Sequence, residues 1–458
     1  MFKTLKKIWY ELSAKERSYL KAGLSIIGFV GFFSIFLLPL ILTRKFWSFV
    51  DYNSTSGIGD TINGISSPFI ALLAALLTFL AFYIQYKANI QQRNQFRIEL
   101  RQRGQDSKAQ DKIWQIERLE NRFFEMIKFH RQNVGEMNYT SYSRTLAQNP
   151  SDDKLEKHRA VGKKVFKEVF SDFEKLFDEV NILFENASEN QIYKEQYLQN
   201  LRKNVLLSQR NIDLILYAKI DIVYCIIFFG TGESGIATIK NFFAVKYNSN
   251  FYDDLLLFAS LKPKVESKNW RKWLTFIKLS ESNQQEIFKQ WRDDRINELN
   301  GIETHKSDEN KSFQYRQVYY NNNYYKYYGG HQFRLGHYFR HLFQTVTYIN
   351  ESRLLSYCDK YANIKLLRGQ LSTYEQLIIF INSVSSLGRV WELETKKDPS
   401  KAFEINEQLI TKYNLIKNVP GDFIVKTVYS SDFYPDVIYE ALPHNNEEQR
   451  QMIEKLYY

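Results

Sequence analysis

The chain has 458 residues, with 62 Lys and Arg against 51 Asp and Glu and a formal net charge of +11. That length allows a large core and more than one structural unit, and the moderate, mixed-sign charge fits solvated helical surfaces or an anionic partner such as lipid headgroups or nucleic acid. Two cysteines, Cys225 and Cys358, exclude a disulfide framework or a Cys-rich zinc module and fit a reducing compartment. Aromatic residues make up 16% of the chain, while Gly (19) and Pro (8) are scarce, so few helix breakers interrupt long amphipathic stretches. The composition predicts a mainly α protein.

Residues 1–21 read as a basic cytoplasmic helix, with Lys3, Lys6, Lys7, Lys15, Arg17 and Lys21 against Glu11 and Glu16. Ala22–Leu42 then carries no charge and is long enough to cross about 30 Å of hydrocarbon. It is too long for a signal-peptide core, and no small-residue cleavage site follows it. Gly23, Gly28 and Gly31 would let another helix approach closely. Thr43–Asn63 reads as a polar link, with Trp47 and Tyr52 suited to the headgroup layer. A second span follows over about 65–86, and Lys87, Arg93, Arg97, Arg101 and Arg103 lie beyond it. By the positive-inside rule the spans form a transmembrane hairpin (22–86), with both termini and the main domain in the cytoplasm.

Residues 87–135 predict a stalk helix. Its first part is nearly all polar, which suggests pairing with a partner stalk in a homo-oligomer. Farther on, Ile113, Ile116, Leu119, Phe123, Ile127 and His130 recur at three- and four-residue steps, the pattern of a packed helix. A cytoplasmic helical domain is expected over 136–394. It would begin with a loop at Asn138–Lys157, continue as helix from Ala160 to Ala218, and bury Ile220–Phe229. Pro263–Lys311 reads as a charged helical insertion, and Tyr315–Tyr328 as a Tyr/Asn loop entering a helix at Gly329-Gly330. His331–Tyr361 and Ser372–Leu393 are strong helices. The extension 395–458 is mixed, with a turn at Pro420-Gly421 and a strand at Phe423–Tyr429.

Three constellations could carry chemistry. Gly230–Gly235 has the spacing G-x-G-x-x-G, but no strand–helix alternation surrounds it, so a glycine-rich turn ending a buried helix is the preferred reading. His331–His341 holds three of the seven histidines. On a helix Arg334, His337 and His341 share a face with Arg340 beside them. His337 and His341 have the spacing of a zincin helix, but Tyr338 stands where the general base would be and no third ligand is evident, so no metal and no cofactor is expected. Arg334 and His341 also fit the loose Arg–His spacing of metal-independent HEPN ribonucleases. Whether the chain is an enzyme stays open; if it is, these two residues are the catalytic pair and RNA is the substrate. The plainer alternative is a polar helix face that binds neighbouring helices. In the third block, Arg368–Asn382, Ser372 and Glu375 form a capping box ahead of an apolar run. Arg368, Glu375 and Asn382 join His337 and Arg340 as candidates for one functional cleft.

Several blocks occur in a telling order: FFEMIKFH (Phe123–His130), GKKVFKEVF (Gly162–Phe170), FFGTGES (Phe228–Ser234), LGHYFRHLFQTVTYI (Leu335–Ile349) and LRGQLSTYEQLIIFINS (Leu367–Ser383). With two spans and a polar helix ahead of them, they resemble the AbiC-like phage abortive infection proteins of bacteria over about residues 20–390. The LGHYFRHL and LRGQLSTYE blocks carry the resemblance most specifically. It implies antiphage defence from the bacterial inner membrane by a multi-pass protein that acts as sensor or effector on infection. The implied partners are the lipid bilayer and a phage-derived trigger. A membrane-tethered ribonuclease and a non-catalytic scaffold for a partner defence protein are the alternatives.

Overall fold

Helical periodicity and a few capping residues set most of the elements. The structure, a computed structural model, describes residues 14–37, 40–41, 55–267, 269–300, 327–394, 396–397, 404–405, 407–420, 423–425 and 427–440. It is mainly α, and it divides into two compact units, Met1–Trp114 and Gln115–Tyr458. The first thirteen residues, Leu42 at the end of the expected first span, residues 43–54 of the expected link, residues 301–311 of the expected insertion, all but Tyr327 and Tyr328 of the Tyr/Asn tract, and the last eighteen residues lie outside the described residues.

In the first unit, helix α1 (Ala14–Phe32) runs into a π-helical turn (Phe33–Leu37), and helix α2 (Thr55–Glu136) begins. A Cβ placed on Gly31 would lie 3.7 Å from the Leu73 side chain, so the two helices meet there, whereas one on Gly23 or Gly28 would meet nothing within 4 Å among the described residues. α2 starts ten residues before the expected span. Extending a helix is far easier than nucleating one, so the apolar run carries helix back through the polar residues that precede it. Pro68 removes one backbone donor without ending the helix. Among the described residues Ser67–Glu136 is the one helix long and apolar enough to cross a membrane, and none of its apolar window is buried. Ile70, Leu72, Leu77, Phe79 and Phe82 are all exposed. Exposure continues beyond Tyr86, where Phe96, Ile98 and Leu100 also face outward.

In the second unit the last turns of α2 bury Leu119, Phe123, His130 and Val134. The expected loop after it is instead a hairpin, β1 (Asn138–Thr145) against β2 (Lys154–Val161), in register from Asn138↔Val161 to Thr145↔Lys154. Turn-forming residues crowd only 146–153, while Tyr139, Thr140 and Tyr142 favour strand and alternate in exposure. The helical pattern expected over 160–218 is likewise divided. It becomes α3 (Lys164–Glu179), three short turns, α4 (Glu195–Lys203) and α5 (Leu214–Phe229). Asn204 caps one short turn by accepting from the Leu206 and Leu207 amides, and Asp213 caps α5 by accepting from those of Ile215 and Leu216.

Then follow α6 (Glu233–Phe243), α7 (Ser249–Leu261), α8 (Trp270–Ile277) and α9 (Glu281–Leu299). The charged stretch joins the core through Trp273, Phe276, Phe288 and Trp291, with Phe258 of α7 5.7 Å from Trp273 and 5.5 Å from Phe288 between ring centres. Helices α10 (Gln332–Asn350), α11 (Tyr357–Arg368) and α12 (Thr373–Val384) follow. Ser372 and Glu375 cap α12 reciprocally, as their spacing implied. Two-residue strands β3 (Lys396–Lys397) and β4 (Glu404–Ile405) pair, and the expected single strand near 423–429 is a tight hairpin of β5 (Phe423–Val425) and β6 (Val428–Tyr429).

α5 is the pillar of this unit. From Tyr217 to Phe228 every residue is buried, and α3, α6, α7, α10 and α12 pack around it. Gly230 ends it at φ +83 and Gly232 starts α6, so the G-x-G-x-x-G stretch is a turn between helices. A Cβ on Gly230 would lie 2.7 Å from Gly329 C, and one on Gly330 (φ +86) 2.6 Å from Phe229 O. Glycine is required at both places because two backbones touch there. Gly330→Ala is therefore expected to destabilise the unit by about 2–4 kcal/mol, read as a lower midpoint in urea unfolding, while Gly329→Ala, with no neighbour within 4 Å, leaves it near wild type.

Candidate functional site

The glycine contact pins the start of α10. The His331 amide donates to the carbonyls of Ile227 (3.2 Å) and Phe228 (2.8 Å), and the Thr231 amide donates to Tyr328 O at 2.8 Å. The last carbonyls of α5 thus find donors on the segment entering α10. The polar residues of α10 then diverge to three centres.

At the first, Arg334 Nε donates to Asn138 O at 2.8 Å, and its guanidinium lies over the Tyr139 ring, 5.0 Å from the centre. A guanidinium nitrogen sits 3.4 Å from His331 Nδ1. Arginine can only donate, so Nδ1 accepts and His331 Nε2 carries the proton that faces Asp172 Oδ2 at 3.6 Å. The Tyr139 hydroxyl donates to the same oxygen at 3.0 Å. Burial pushes the Asp172 carboxyl up, but His331, Lys175 and Tyr139 outweigh it and hold the group below its usual range. Tyr139, Asp172 and Lys175 line a polar cavity of about 670 Å³ under the β1–β2 hairpin, which Arg334 and His331 do not reach.

At the second, His337, Arg340 and Asn382 line a cleft of about 620 Å³ walled by Phe228, Phe229 and Phe333. Arg340 Nε donates to Gly336 O at 3.0 Å, and its guanidinium reaches His337 Nδ1 at 3.4 Å. Asn382 is 3% exposed and its amide contacts the Tyr224 hydroxyl at 3.3 Å.

At the third, His341 lies against α2. Its ring centre is 6.2 Å from that of His130, which in turn is 5.1 Å from Tyr338. Among the described residues His130 Nδ1 and Nε2 and His341 Nδ1 are buried with no hydrogen-bond partner, while the Tyr338 hydroxyl faces the Glu375 carboxyl. Burial, with the nearby His341 and Lys163, pushes His130 down to about 4; burial also lowers His341 and raises Glu375. Both rings are therefore neutral at pH 7.

The expected residues consequently do not form one site. His337, Arg340 and Asn382 come together as expected. Glu375 sits instead beside Tyr338 and caps α12 with Ser372, and Arg368 is buried in α11, donating to the carbonyls of Tyr413 (2.9 Å) and Asn414 (3.1 Å). Among the described residues no hydrogen bond joins Arg334 to His341, and each has other neighbours. No group of three or more His, Cys, Asp or Glu there is placed to hold a metal ion.

Sequence reasoning missed the ionic ties of this region. Arg389 meets the fully buried Asp221 of α5 at 3.2 Å, and the Tyr247 hydroxyl (2.5 Å) and Ser386 amide (2.7 Å) complete its shell. Nearby, Arg210 meets Glu392 at 2.6 Å, and the Thr411 amide donates to the same carboxylate at 2.8 Å. One signal was available: Asp221 is the only carboxylate in the apolar run Leu214–Phe229, and a buried charge needs a partner.

All three centres and both ties draw on one stretch of chain. Residues 330–424 match the family described as "Putative phage abortive infection protein". Over this stretch the chain is similar to that family. The match contains the Leu335–Ile349 and Leu367–Ser383 blocks and runs on into the tail, while the earlier blocks fall outside it. No curated protein and no solved structure matches the chain.

Two outcomes are expected. Asp221→Asn should cost about 3–5 kcal/mol in chemical denaturation, because it strands the buried Arg389 charge. The second concerns pH. Unfolded, the His130 ring takes a proton near 6.5; folded, it resists one until about 4. The unfolded state alone binds that proton between these values, so stability falls as pH is lowered from 6.5 toward 4. Urea midpoints across that range should show the slope in wild type and a shallower one in His130→Leu.

Proposed function

We propose that this chain is an antiphage defence protein anchored in the bacterial inner membrane, answering infection as a sensor and effector rather than as an enzyme. The carrying observation is the abortive infection match over residues 330–424, in a chain whose helix Ser67–Glu136 is long and apolar enough to span a bilayer. In this reading the cytoplasmic domain receives a phage-derived trigger, and the cleft lined by His337, Arg340 and Asn382 is the candidate receiving surface. α2 is one helix from its apolar run to the buried stripe at Leu119–Val134, so the trigger and the bilayer act on a single element. Its exposed Phe96, Ile98 and Leu100 favour a second copy alongside, since an isolated polar helix gains little from packing.

The ribonuclease alternative requires Arg334 and His341 to act on one phosphate. On a helix, seven residues separate them by about 10 Å along the axis, and both carry other contacts. The scaffold alternative has no particular observation behind it.

Plaque counts on cells carrying wild type, the chain lacking Met1–Tyr86, Arg334→Ala and His341→Ala, at matched expression, separate the readings. Protection is expected in wild type, loss in the truncated chain, and intact cellular RNA throughout. Discrete RNA fragments in wild type that vanish in both alanine variants would replace the sensor–effector reading with the tethered nuclease.

A further inference from the structure

The buried stripe of α2 contains one residue that does not belong in it by polarity. Leu119, Phe123 and Val134 are apolar, but between them His130 is 2% exposed, and among the described residues neither ring nitrogen has a partner. The groups around it come from every element packed against that face. Tyr338 and His341 stand on α10, Lys163 lies at the corner between β2 and α3, and Glu375 on α12 faces Tyr338 and Lys163. The Tyr338 hydroxyl and the Glu375 carboxyl face each other, which leaves the His130 ring outside their contact. Buried polar groups are nearly always satisfied, and an apolar side chain of similar shape would fill this seam without the loss. Among the described residues the imidazoles of His130 and His341 therefore sit close together with ring nitrogens unpaired, where the end of α2 meets α10.

We infer that this seam is a two-position contact: the described arrangement is a resting state, and a shift of the end of α2 along α10 that gives His130 a hydrogen-bond partner is the step by which trigger binding and the membrane-directed helix are coupled. The inference rests on the sensor–effector reading and names its moving part. A small difference in binding suffices to change the populations of two arrangements that lie close in free energy. His341 enters here as the ring beside His130, 6.2 Å away between centres, with no role in bond breaking.

The test uses the full-length chain in detergent, as wild type, His130→Leu and His130→Gln, measured by thermal melting and by amide exchange over residues 115–136. Plaque protection is scored for the same three in cells. His130→Leu is expected to melt about 2–4 °C higher and to exchange more slowly. Its protection should fall about tenfold or more, since the resting state is then favoured by that factor. His130→Gln, still polar, is expected to keep the response. A lower melting point or failure to fold in His130→Leu would overturn the inference, because the ring would then be well satisfied where it is. Undiminished protection by His130→Leu would overturn it as well. If wild type gives no protection, the defence reading fails, while melting and exchange still decide the seam.

Discussion

The second unit depends on one constraint: a helix buried on every side must carry a charge. α5 supplies the surface on which five other helices pack, and Asp221 near its middle has no access to water. Such a carboxylate is tolerable only with a full shell, and Arg389, Tyr247 and Ser386 provide it from distant parts of the chain. Replacing both charges by apolar groups would be energetically acceptable in principle, so the pair acts less as glue than as a register mark.

The same helix fixes the start of α10. Its last carbonyls accept from His331, and the Gly230–Gly330 contact permits two backbones to touch. With one end held, helix geometry distributes the side chains. Arg334 turns to the hairpin, His337 and Arg340 to the aromatic-walled cleft, and His341 to α2. A compact run of His and Arg in sequence thereby becomes three separate polar environments. The matched segment touches the hairpin, the pillar and the end of the long helix at once.

Much of the helical framework was legible from local rules. The capping box at Ser372–Glu375, the buried run of α5, the packed stripe at the end of α2 and the glycine turn at 230–235 all follow from spacing and side-chain type. Where reading failed, local composition misled. Asn, Ser, Asp and Pro suggested a loop through 138–157, although only the middle of that stretch turns, because pairing along β1 and β2 satisfies backbone groups that composition does not report. The cleft was half legible. His337, Arg340 and Asn382 converge, while Arg368 and Glu375 belong to other contacts, since one helical block leaves open which neighbour each face will meet.

By itself the sequence determined a mainly helical chain, an apolar helix of spanning length, and two blocks resembling a phage abortive infection family. These depend on periodicity, composition and short motifs, which are properties of neighbours along the chain. Only the tertiary structure decided that Asp221 answers Arg389, that Arg334 and His341 part company, and that His130 is buried unpaired beside Tyr338. Those outcomes join residues more than a hundred positions apart in most cases. They are set by how helices pack around α5, and a partner brought in by packing leaves no mark at the position that receives it.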